Sequence, residues 1–138
     1  MKLILTSIAL VILLLPSLAL GGEVTFYDLV EREGLYYKKF TDVPFSGKIT
    51  GKVQGSIKDG KWDGPWVSFH KDGQLWMKGT YKDGNWDGPW IVYWDNGLLG
   101  AKGTYKDGKK DGPWVSYHQD GTVDENWTGT FKNSEKVK

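Results

Sequence analysis

The sequence predicts an all-β fold, an elongated antiparallel array of β-hairpins, and three observations carry that expectation. The tetrapeptide Asp-Gly-Pro-Trp recurs at 63–66, 87–90 and 111–114, a strict spacing of 24 residues. Asp59-Gly60, Asp83-Gly84 and Asp107-Gly108 open three near-copies of one segment, and Lys-Gly-Thr-Tyr-Lys recurs within them at 78–82 and 102–106. Eight Trp, seven Tyr and five Phe stand beside nineteen Gly, a composition rich in strand and turn formers. A unit this short cannot bury its own apolar face and must stack on its neighbours.

The elements follow in order along the chain. Lys2, the apolar run Leu3–Leu15, the breakers Pro16 and Ser17, and the small residues of Ala19-Leu20-Gly21 predict a signal-peptide helix over 1–21, cleaved after Gly21. The competing reading is an uncleaved membrane anchor, since Leu3–Leu20 is about long enough to span a thinned bilayer. No cysteine follows the run to carry a lipid. The expected address is secreted or periplasmic, with membrane contact only through the signal segment before cleavage.

Residues 22–58 read as an N-terminal cap plus one degenerate repeat. Glu33-Gly34 before Leu35-Tyr36-Tyr37 suggests half a hairpin, and Pro44-Phe45-Ser46-Gly47 with Gly55-Ser56-Ile57-Lys58 is a worn copy of the motif. Three repeats follow at 59–82, 83–106 and 107–132, and 133–138 is a polar tail expected to fray. Within a repeat, Lys71-Asp72-Gly73 is a turn between two alternating, aromatic-rich flanks, which predicts a hairpin. Gly60, Gly64, Gly73, Gly84, Gly88, Gly97, Gly108, Gly112 and Gly121 are the expected turn glycines. Pro89 has no N–H and belongs at a strand entrance.

Strict alternation assigns faces. In the second strand, Leu75, Met77, Gly79 and Tyr81 share a side, as do Leu99, Ala101, Gly103 and Tyr105. In the first strand Val67/Phe69, Ile91/Tyr93 and Val115/Tyr117 form the consistently apolar set. Trp127, Gly129 and Phe131 are expected to continue the buried row after a two-residue insertion near Thr122–Asn126.

Asp-Gly-Lys-x-Asp-Gly-Pro-Trp, a Tyr- or Phe-containing strand, Asp-Gly or Asn-Gly, then Lys-Gly-Thr-Tyr-Lys resembles the bacterial variant of the MORN repeat over Asp59–Lys132, and more loosely over 35–58. Some bacterial members are labelled antitoxin-like. The resemblance implies elongated antiparallel arrays, a scaffolding or self-associating role and no catalytic residues. Residues 23–45 depart from the pattern.

The aromatics are the candidate binding surface: Trp66, Trp76, Trp86, Trp90, Trp94 and Trp114. Recurrence of Trp66, Trp90 and Trp114 after proline favours a packing role, each ring covering its hairpin. The functional alternative is an exposed track for sugars, peptides or a partner's edge. Trp86 and Trp94 suit it best, because their equivalents are Trp62 and Lys110, and His70 and His118. Asp-Gly pairs read as turns, where the carboxylate caps local backbone, rather than as calcium ligands. His70 and His118 stand two repeats apart, about 20 Å, too far to share a metal or a reaction. The expectation is a non-enzyme with no metal and no cofactor. Without Lys2, seventeen basic residues balance seventeen acidic ones, so no excess of charge argues for nucleic acid. The expected partner is an unidentified protein or a second copy, with a cell-wall glycan as the alternative and a lipid surface as a third.

Overall fold

The computed structural model describes residues 23–138, and the signal-helix and cleavage expectations lie outside them. The chain is almost entirely strand, preceded by one 3₁₀ turn at Phe26–Asp28. A first hairpin, β1 (Leu29–Arg32) and β2 (Leu35–Lys38), turns at Glu33-Gly34. Next come β3 (Gly47–Ile49), β4 (Val53–Lys58) and the short β5 (Lys61–Trp62). Repeats then follow as long–long–short triplets: β6 (Gly64–Phe69), β7 (Leu75–Lys82), β8 (Asn85–Trp86); β9 (Gly88–Tyr93), β10 (Leu99–Lys106), β11 (Lys109–Lys110); β12 (Gly112–Ser116), β13 (Gly129–Lys132), β14 (Glu135–Lys136). One antiparallel sheet runs β14-β13-β12-β10-β9-β7-β6-β4-β3, with β5, β8 and β11 paired alongside β4, β7 and β10. No helix of the described residues is long and apolar enough to cross a membrane.

Two turn types build each repeat. Asp83-Gly84 joins β7 to β8 with φ of 49° and 84°, and its copies at 59–60 and 107–108 share that geometry. Positive φ at both residues gives the two-residue hairpin turn whose twist matches its strands. Between β6 and β7, the His70 N–H donates to the Gln74 carbonyl (2.8 Å), the Gly73 N–H to the His70 carbonyl (3.0 Å), and the Gln74 N–H to Asp72 Oδ1 (3.0 Å). Asn96 and Asp120 cap the equivalent loops in the same way. Gly64, Gly88 and Gly112 differ from expectation: they are the first residues of strands, not turn positions. There the chain leaves one neighbour for the next, since Trp86 opposes Tyr81 while Ile91 opposes Lys78, a two-residue slip in register.

The tight turns also stack between repeats. The Gly84 N–H donates to the Trp62 carbonyl and the Gly108 N–H to the Trp86 carbonyl, both at 2.8 Å. The final turn continues the row, with the Ser134 N–H on the Lys110 carbonyl at 2.9 Å. The tail therefore does not fray as expected: Asn133-Ser134 turns the chain and β14 pairs with β13.

The face assignment needs two corrections. Trp66 lies opposite Gly79 and Ser68 opposite Met77, so the Trp/Ser row of the first strand shares the inner side with Met77, Gly79 and Tyr81. Val67, Ile91 and Val115 lie on the outer side. Secondly, register shifts by one residue between the Ser68–Met77 and Phe69–Leu75 pairs, and again at Leu99/Ala101. A single extra residue reverses parity. Leu75 and Leu99 therefore lie on the outer face with Phe69 and Tyr93, away from Tyr81 and Tyr105. Phe131 joins the core, 5% exposed, but Trp127 sits in the inserted turn at 58%.

Two core clusters meet through Trp66 and Tyr81, one around Leu29, Ile49, Ile57 and Trp62, the other around Trp90, Trp114 and Phe131. Ser68 is 2% exposed, and its Oγ has no hydrogen-bond partner among the described residues. Valine stands at the equivalent position, 92. Ser68→Ala is therefore expected to leave stability unchanged or raise it by up to about 1 kcal/mol, measured by urea unfolding. Gly97→Val, at φ 81°, is expected to cost more than Ser68→Val.

Candidate docking face

The inner side is a continuous aromatic stack. Trp66 stacks on Trp90 with ring centroids 5.6 Å apart, Trp86 on Trp90 at 4.5 Å, and Tyr105 meets Trp114 edge-on at 4.8 Å. Each repeat's tryptophan leans over a glycine of the repeat before it. A Cβ on Gly79 would fall 1.7 Å from the Trp90 ring, and one on Gly103 would fall 2.1 Å from Trp114. Gly55 lies beneath Trp62 and Trp66 with a little more room. At the end of the array, the aliphatic stem of Lys136 fills the corresponding place over Gly129, and its Nζ donates to the Glu125 carbonyl at 2.7 Å. Lys110 replaces the Trp of positions 62 and 86, and its ammonium lies 4.6–5.0 Å from the rings of Trp114, Trp127 and Phe131. Burial lowers its pKa.

Burial pushes the phenol pKa values of Tyr81 and Tyr105 up. The neutral forms are thus favoured in the fold, and stability is complete below the unfolded-state value of about 10. It falls as pH rises through the raised folded values. Denaturant unfolding at several alkaline pH values should show that decline, and Tyr81→Phe should make it shallower.

The six candidate tryptophans fall in different places. Trp90 and Trp114 are each 4% exposed and belong to the core, so they are not on a binding surface. Trp66 and Trp86 are half-buried in the same stack. Trp94 is half-buried at the loop end, its indole N–H donating to the Tyr117 carbonyl at 2.9 Å. Trp76 is 43% exposed and leans on the His70 ring, 5.8 Å between centroids. The two histidines have unlike surroundings: His70 Nε2 bonds the Tyr93 carbonyl at 2.9 Å, and His118 Nδ1 lies 4.0 Å from Asp124. Among the described residues no three His, Asp or Glu side chains gather as a metal site.

The outer side carries an open groove of about 1220 Å³, lined by Pro65, Pro89 and Pro113, Leu75, Ile91 and Val115, with Lys78, Lys102, Thr80 and Thr104 between them. Sequence reasoning placed Leu75 on the wrong side, and so missed this groove. A glycine-rich inner strand facing a tryptophan was the available signal. With the geometry in place, the comparison with known families is decisive for the repeat: residues 62–83 match the family model of the MORN repeat variant. The chain carries a MORN-type repeat. The matched stretch runs from Trp62 of β5 through β6 and β7 to Asp83, 22 residues within the 24-residue period. No curated protein matches the chain.

Proposed function

We propose that this protein is a non-catalytic, exported β-repeat scaffold that docks another protein on the outer face of its sheet. One observation carries the proposal: a groove of aliphatic and proline side chains crosses three repeats of the outer face, while the aromatic rows pack on one another on the inner side. A single-layer sheet whose inner face is occupied by its own stacked rings leaves the outer face for a partner. Asp72 and Asp120 cap their loops, and Asp59, Asp83 and Asp107 form the tight turns.

The test is affinity capture and sedimentation with the full chain and with Ile91→Asp/Val115→Asp. Wild-type protein should retain a partner, or associate with itself, and the double variant should not. Identical captured sets, with both proteins monomeric at every concentration, would sink the proposal. A second reading, glycan stacking, is favoured only by exposed Trp76 beside His70 and Trp94 in a cleft of about 400 Å³. Quenching of tryptophan fluorescence by cell-wall fragments, abolished in Trp76→Ala, would support it.

A further inference from the structure

The balanced net charge conceals a local imbalance: the groove is lined by two lysines and no carboxylate. Lys58, Lys82, Lys106 and Lys132 stand at the outer-face ends of their strands, opposite Lys61, Asn85, Lys109 and Glu135, with Asp63, Asp87 and Asp111 at the strand breaks between them. Lys78 and Lys102 stand in the groove itself, and all of these lysines are exposed. Glu135 is the one carboxylate on the outer face among the described strand residues, opposite Lys132. Asp59, Asp83 and Asp107 lie in the tight turns, Asp72, Asp95 and Asp120 in the longer loops, and Asp63, Asp87 and Asp111 at the single-residue breaks between strands, none of them lining the groove. None of these lysines is in an ion pair among the described residues.

The groove also has a period. One row across the sheet reads Val67, just outside the groove's lining, then Lys78, Ile91, Lys102 and Val115 within it, alternately aliphatic and cationic on successive strands. Strands lie about 4.8 Å apart, so like side chains recur about every 9.6 Å. Seven residues of α-helix rise about 10.5 Å, and half that interval reaches the intervening strand. Resting on the scaffold role proposed above, we infer that the outer groove receives an acidic amphipathic helix of a partner protein. The helix crosses the strands with an apolar residue every seventh position on Val67, Ile91 and Val115. Carboxylates midway between them meet Lys78 and Lys102. The aliphatic side chains are half-buried while the lysines are exposed, so apolar contact requires a segment that enters the groove. A flat lipid surface reaches the lysines alone. The proline and aliphatic lining offers bases little to stack on.

The probe is a fluorescein-labelled 18-residue helical peptide with leucine every seventh position and glutamate midway between, titrated against the full chain by anisotropy. Binding is expected, weakening with salt. Lys78→Glu/Lys102→Glu should weaken it at least tenfold while leaving the far-ultraviolet spectrum unchanged. That variant should bind the same peptide carrying lysine in place of glutamate. If a glutamine version binds wild type equally well, the acidic partner is wrong and the docking face stands. If neither peptide binds the folded protein, both this inference and the groove as docking face fail. Tighter binding to polyadenylate or to phosphatidylglycerol vesicles overturns the helix in favour of another polyanion.

Discussion

Gly79→Ala is expected to destabilise the protein by about 3 kcal/mol, the upper end of what an overpacked core usually costs. The added methyl would fall 1.7, 2.2 and 2.7 Å from three atoms of the Trp90 ring. Trp90 is 4% exposed, held by stacking on Trp66 and Trp86 and edge contacts with Tyr81 and Tyr105. It cannot lift without disturbing the rows on both sides. Gly79 does not have the positive φ of the turn glycines, so its requirement is for space rather than for backbone freedom. Gly103→Ala should behave alike, with its methyl 2.1 Å from Trp114, whereas Gly55→Ala, whose nearest contact is 3.0 Å, should cost less. Urea unfolding of the three variants checks the order. A loss below about 0.5 kcal/mol for Gly79→Ala would mean that the ring is free to move, and the stacked core would then be misdescribed.

The period, the hairpins and both turn types were legible because they are local: Asp-Gly with positive φ at both residues, and a capping Asp or Asn before a loop glycine, write their geometry into adjacent residues. The faces were not. Alternation counts residues, and the extra residue near Trp76 and again at Gly100 is invisible to counting until strand partners are known. Leu75 and Leu99 were therefore placed with the tyrosines although they face the other way. The seats under the tryptophans did leave a trace. Glycine in a strand interior weakens the strand unless something approaches closely, and Gly55, Gly79 and Gly103 occur at the 24-residue period. The groove's charge was hidden for a different reason: Lys78 and Lys102 are interspersed with aspartates along the chain, and only folding brings them together in a lining with no carboxylate.

Trp90→Ala is the companion experiment, with an expected loss of about 4 kcal/mol. It removes the ring on which Trp66 and Trp86 stack and leaves Gly79 facing a void, so the two core clusters lose much of their shared packing. Trp76→Ala, at an exposed loop-end position, should stay within about 0.5 kcal/mol of wild type. The double variant Gly79→Ala/Trp90→Ala isolates the contact itself. Once the ring is gone, the new methyl has nothing to strike and fills part of the void, so the pair should cost at least about 1 kcal/mol less than the two single losses together. Strict additivity would place the cost of Gly79→Ala in the strand backbone, and the glycine would not be a seat for the next repeat's tryptophan.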